Sequence, residues 1–332
     1  MNPSFFVLVG QIRREYLLPP VGAPRLDSPG GNLLYAAGGL GVWEKRVGLV
    51  GRAGEDLPRQ WLKDLASRGW DTRGIRIQQG ALDQRAFIAY NENFEATRAN
   101  PVGQFAQRGI PFPKALLGLR SDPQTAGAPP DPASPQLADL PTDYSDADAM
   151  HICPLELSAQ RQFTDRLSGA MRVLTLDPPA AVMLPERQRE ARVLVHGLTA
   201  FLPSLEELAS LFWGETRDPW EMAAAIGQWG CEFVIVKCGE RGQLVYDAVS
   251  QRRWEVPAYP ARLVDPTGAG DAFCGGFLAG YRKNFDPLEG ALLGNVSASL
   301  AVEGSGPYHP LDAMRGLVEA RLEALRETVR VV

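Results

Sequence analysis

The run Leu263-Val264-Asp265-Pro266-Thr267-Gly268-Ala269-Gly270-Asp271-Ala272-Phe273 sets two carboxylates on either side of a turn built from small residues. Glycines at 268 and 270 admit backbone conformations closed to other residues and remove side chains that would block a ligand. Asp271 then opens an apolar, helix-like segment over 272–281. The N–H groups of such a turn and helix start point at one place, which suits an anion such as phosphate. An acid at the mouth of that hole can take a proton from a hydroxyl while the hole holds the phosphate under attack. A carboxylate of ordinary pKa is ionised at pH 7, so Asp271 is the expected general base and Gly268, Ala269 and Gly270 the expected anion hole. A plain capping turn would explain Asp271 at a helix start. It would not explain Gly275 and Gly276 inside the helix, where each costs up to about 1 kcal/mol relative to Ala.

This segment resembles the DTxGAGD signature of the ribokinase-like (PfkB) carbohydrate kinases, with Pro266 where that family often has Thr. Four further segments follow the family's order. Gly30-Gly31 before the run 32–43 resembles its N-terminal double glycine. Val47-Gly-Leu-Val-Gly51 with Arg52-Ala-Gly-Glu-Asp56 is similar to its G.VG.D..G segment. Ser204-Leu-Glu-Glu207 stands where it has Asn-x-x-Glu, and Val234-Ile-Val-Lys-Cys-Gly-Glu-Arg-Gly242 resembles its V..G..G strand and turn.

The resemblance implies an ATP-dependent kinase of a sugar or sugar-like hydroxyl, with Mg2+ and, in some members, a monovalent cation near Asp265. It implies that Lys237, Gly239, Gly242, Asp265, Thr267, Asn295 and Gly306 border the nucleotide. It also implies that Glu207 holds Mg2+ through water, although Ser204 and Glu207 equally form a capping box. Mg2+ keeps several waters and needs few protein ligands, so Ser204 in place of Asn is tolerable. The acceptor side departs from the pattern. Glu15 stands for the family's sugar-binding Asp and Tyr35 for its Asn, while Gly30 and Gly31 remain. Changed polar contacts imply a changed acceptor, a nucleoside being the alternative to a sugar. A nucleotide- or sugar-binding protein without turnover is the reading from another class, and the intact run from Asp265 to Asp271 opposes it.

No lysine follows a glycine, so a P-loop is excluded, and neither Gly39-Leu-Gly41 nor Gly268-Ala-Gly270 completes a G-x-G-x-x-G dinucleotide fingerprint. A net charge of −5 argues against nonspecific nucleic-acid binding. The four cysteines form no C-x-x-C pair and read as free thiols of a reducing cytoplasm. The lack of an 18-residue apolar run and of a basic leader fits a soluble cytoplasmic enzyme with no membrane partner.

The elements that must position these residues alternate. Strand-length apolar runs occur at 5–9, 47–50, 86–90, 149–153, 173–176, 193–195 and 233–237. Helix-periodic segments occur at 56–68, 158–168, 204–213, 220–229, 271–283, 287–302 and 310–329. Continuous apolar strands alternating with helices predict a three-layer α/β/α sandwich with a mostly parallel central sheet, here one domain over residues 1–332. Segments 11–29 and 75–110 lack helices. The resemblance makes them a small β-sheet lid over the substrate site, and a surface through which two chains pair as a homodimer. A lid suits phosphoryl transfer because it excludes water. Residues 121–143, rich in Pro, Ala and Ser, read as a mobile insertion loop.

Overall fold

The computed structural model describes residues 5–119 and 131–332. The strands are β1 (Phe6–Val9), β2 (Arg13–Leu18), β3 (Arg25–Gly30), β4 (Val47–Gly54), β5 (Asp71–Gln78), β6 (Arg85–Tyr90), β7 (Ala96–Thr97), β8 (Ala149–Ile152), β9 (Leu174–Leu176), β10 (Ala200–Phe201), β11 (Phe233–Lys237), β12 (Gln243–Asp247), β13 (Arg253–Val256) and β14 (Arg330–Val331). Ten of them form one sheet in the order β14-β13-β12-β11-β10-β9-β8-β1-β4-β5. Every pairing from β5 across to β11 is parallel, and β12, β13 and β14 continue the sheet antiparallel.

The apolar runs are continuous because both sheet faces are covered. Phe6 and Leu8 of β1 enter one core, with Leu33, Leu40, Phe273, Phe277 and Val296 from helices on that side. Val7 and Val9 enter the opposite core, with Phe163, Leu194, Leu208 and Ile226. The expected three layers are therefore present. The helix that follows the anion turn, Ala269–Asn284, is wedged between the helices Asn32–Gly41 and Pro287–Ala301. A Cβ on Gly275 would come within 2.0 Å of the Ala36 carbonyl oxygen, which accounts for glycine in mid-helix.

Residues 193–195 are not a strand. They close the helix Gln188–Val195, whose Ala191, Leu194 and Val195 share a buried face at helical spacing. No helix among the described residues is long and apolar enough to cross a membrane.

The small sheet runs β3-β2-β6-β7, with β2 and β6 parallel and the outer pairings antiparallel. The expected lid segment 75–110 needs correction at both ends. Residues up to 78 belong to β5 of the large sheet, and Pro101–Gln107 is a helix. One face of the small sheet carries Leu17, Ile88 and Tyr90. The other carries Tyr16, Leu18, Phe87 and Ala89, which pack against Phe105 and Leu116 of the same chain. That second face is thus covered within the chain.

Of the expected loop 121–143, residues 121–130 lie outside the described residues. Residues 131–143 are anchored at several points. Asp131 accepts from Gln11 and Arg13, Ala133 and Ser134 are buried, and Asp139 pairs with Arg52 at 2.5 Å. Polar anchors hold this stretch where its composition alone promised none.

Candidate active site

The turn after residue 263 is fixed at both ends. Asp265 is buried; its Oδ1 accepts the Thr267 N–H at 3.0 Å and its Oδ2 accepts the Ser305 hydroxyl at 2.5 Å. Gly268 caps the helix in the left-handed region (φ 73°), which L side chains seldom adopt. The Ala269 N–H donates to the Pro266 carbonyl at 3.2 Å. This amends the expected anion hole, because Ala269 spends its donor inside the turn. The N–H groups of Gly268, Gly270 and Asp271 have no partner among the described residues. They sit at a helix N-terminus, where partial positive charge accumulates.

A buried ion pair lies beside that turn. Lys237, at the end of β11, places Nζ 2.5 Å from Asp177 Oδ2, just past the end of β9. Nζ is also 3.7 Å from Cys274 Sγ and 3.7 Å from where a Cβ on Gly270 would stand. Burial works against the Lys237 charge, but Asp177, Cys274 and Glu207 hold the ammonium above its ordinary value. Burial pushes Asp177 up to about 6, with Lys237 opposing. Asp271 is pushed up to about 7, chiefly by burial and then by Asp177, with Lys237 again opposing. The Asp271 carboxyl is therefore poised at neutrality, where a general base works best.

Glu207 closes the capping box with Ser204. Its carboxylate accepts the Ser204 N–H at 2.7 Å, and its own N–H donates to the Ser204 hydroxyl at 3.2 Å. Among the described residues no trio of His, Cys, Asp or Glu could hold a metal alone. Asp177, Glu207 and Asp271 nevertheless lie close enough for their charges to couple. These are hard oxygen donors, and they fit Mg2+ carried on phosphate with most of its waters.

The acceptor residues cluster, but not as expected. Glu15 is buried, and both its oxygens are taken at 2.8 Å, one by the Gly31 N–H and one by the Tyr35 hydroxyl. Gly30 touches Glu15, since a Cβ there would overlap its carboxylate at 1.9 Å. Tyr35 lays its ring on Gly268, within 2.1 Å of a Cβ at that position. Glu15 and Tyr35 thus bond to each other rather than offering free groups to a ligand.

On the nucleotide side, Asn295 is occupied. It accepts the Tyr259 N–H at 3.0 Å and donates to Gln243 at 2.9 Å and to the Pro257 carbonyl at 2.8 Å. It holds the 257–259 loop and leaves no amide hydrogen for a base. Gly239 and Gly242 have positive φ in the turn after β11. Gly306 lies under the Arg25 guanidinium.

Three comparisons bear on this geometry. The model of the pfkB family of carbohydrate kinases matches residues 174–314. The chain is 29% identical to cytidine kinase of Thermococcus kodakarensis over 85% of its own length and 90% of the relative's. The chain resembles the pfkB family of carbohydrate kinases. It is a phosphotransferase, and one solved structure of this fold, a putative ribokinase II from E. coli, holds ATP and Mg2+ (TM-score 0.70, 20% identity, 97% of this chain and 99% of that one). The fold is also that of fructokinase from Vibrio cholerae, solved with fructose, ADP and calcium (TM-score 0.70, 20% identity, 96% of this chain and 99% of that one). The nucleoside kinase of Burkholderia thailandensis in complex with inosine matches with a TM-score of 0.67 at 18% identity, over 96% and 98% of the two chains.

Sequence reasoning missed Asp177, Cys274, Tyr90, Arg25 and Ser305 at this site. Asp177 did carry a signal. It is an acid just beyond the carboxyl end of a parallel strand, where open α/β sheets gather their ligands.

Proposed function

We propose that this kinase transfers the γ-phosphoryl group of ATP to a hydroxyl of a sugar-bearing small molecule, with Asp271 as general base. Asp271 takes the proton as the acceptor oxygen attacks phosphorus. The new O–P bond forms as the bond to the β-phosphate oxygen breaks, and ADP leaves with that electron pair. The N–H groups of Gly268 and Gly270 and the Lys237 ammonium face the developing charge. Asp177 holds Lys237 in place. Mg2+ would neutralise the β- and γ-phosphates, with Glu207 steadying its waters. Gly239, Gly242, Thr267 and Gly306 border the nucleotide, and Gly30 and Gly31 border the acceptor. The single observation that carries this reading is a carboxylate in the first turn of a helix whose leading N–H groups are unpaired among the described residues.

A nucleoside is the second reading for the acceptor. The similarity to a cytidine kinase over most of both chains favours it. So does the Glu15–Tyr35 bond, which consumes the two side chains standing for the family's sugar contacts. Four free, buried cysteines suit action in a reducing cytoplasm. A panel of sugars, polyols and nucleosides, scored by ADP release, tests the reading. Release with ribose, fructose or a sugar acid but no nucleoside selects the first reading. Release with cytidine or inosine alone selects the second.

A further inference from the structure

Three routes link the small sheet to the anion turn, one from each of its three longer strands, and the one from β6 is direct. From β6, the Tyr90 hydroxyl oxygen accepts the Thr267 hydroxyl at 3.0 Å in a buried bond. From β3, Arg25 donates to the Ser305 carbonyl at 3.1 Å, and the Ser305 hydroxyl donates to Asp265. From β2, Glu15 accepts the Tyr35 hydroxyl, and the Tyr35 ring lies on Gly268. Asp265 and Thr267 are themselves bonded. The bonds therefore run from Arg25 through Ser305, Asp265 and Thr267 to Tyr90, leaving and re-entering the same sheet.

A turn with two glycines has more freedom than most and does not fix its own shape. An anion hole works only when its donors are already in place, and a 1 Å displacement costs about 10²-fold in rate. The contacts that hold Thr267 and Gly268 from the acceptor side trace to the small sheet. We propose that Tyr90 is a positioning residue whose bond to Thr267 makes the shape of the anion turn depend on the seating of the small sheet over it. The proposal rests on the reading that the turn at 268–270 receives phosphate. A substrate that seats the sheet would thereby complete the phosphate site, and ATP without an acceptor would meet a looser one.

Tyr90→Phe keeps the ring and removes only the hydroxyl, so it tests the bond without opening the core. It is expected to lower kcat about tenfold while the acceptor KM stays within about twofold and Tm within a degree or two, as for loss of one bond used at the reacting end. In a Thr267→Val background, Tyr90→Phe is expected to have no further effect, because the bond is already gone. The proposal is overturned by a Tyr90→Phe kcat within twofold of wild type, or by losses that multiply in the double variant. It is also overturned by a Tm drop with unchanged kcat, which marks a structural bond only. Asp271→Asn, assayed alongside, separates the two levels. If it is inactive while Tyr90→Phe is normal, the positioning role of Tyr90 alone fails. If it is active, the underlying reading fails.

Discussion

Lys237 Nζ and Asp177 Oδ2 stand 2.5 Å apart in a site where both groups are enclosed by protein. Neither can lose its partner cheaply, because an isolated buried charge is costly. Lys237→Met is expected to destabilise the chain by about 3–5 kcal/mol at pH 8 and to weaken ATP binding. Adding Asp177→Asn removes the stranded carboxylate, so the double variant is expected to recover part of that stability without recovering activity. Urea unfolding of the two variants checks the first statement and ADP release the second.

Two glycines of one turn are expected to behave differently. A Cβ on Gly268 would strike the Tyr35 ring at 2.1 Å, and φ there is 73°. Gly268→Ala is expected to cost both stability and activity. Among the described residues a Cβ on Gly270 meets only Lys237 Nζ, at 3.7 Å. Gly270→Ala is therefore expected to fold with wild-type Tm and to lose ATP affinity, because the methyl stands where phosphate should. Normal ATP affinity in a folded Gly270→Ala would show that phosphate lies elsewhere.

Asp271 is raised from 3.8 to about 7 by burial and by Asp177. The base must be ionised, so kcat is expected to fall as pH drops below about 7 and to level above it. Linkage gives the opposite sign for stability. A carboxyl whose folded pKa is raised contributes stability below its unfolded pKa, and that contribution is lost as pH rises through 7. Asp271→Asn is thus expected to raise Tm relative to wild type at pH 8 and to change it less at pH 5. Thermal melts at the two pH values test the sign.

Glu15 gives the clearest case of a residue whose place was legible and whose role was not. Its position beside Gly30, Gly31 and Tyr35 follows from the motif order, and the structure brings the four together. Spacing could not show that the carboxylate's two acceptors would be taken by Gly31 and Tyr35. Glu15→Gln leaves an NH2 facing one of those donors and is expected to cost about 1–3 kcal/mol of stability. It is expected to lower kcat/KM equally for substrates with and without any given hydroxyl. A loss confined to one substrate hydroxyl would place Glu15 on the ligand instead.

The same division runs through the fold. The three layers were legible because β1, β4 and β8 are apolar on both faces, and the helix periods between strands are strong. Antiparallel β12 and β13 and the two-residue β10 were missed because short or half-covered strands leave little pattern. At the site, Asp271 and the glycines were legible because the turn needs those residue types in that order. Asp177 joins from 94 residues away in sequence, and Arg25 and Tyr90 from a separate sheet. Only the folded chain brings them to the turn.

The central claim is that Asp271 removes the acceptor's proton at the turn that holds phosphate. Turnover of Asp271→Asn, with the best acceptor from the panel and saturating ATP, tests it most directly. The account predicts a kcat at least about 10²-fold below wild type, with unchanged affinity for a nonhydrolysable ATP analogue and no loss of Tm. A variant that keeps half of its kcat would contradict it.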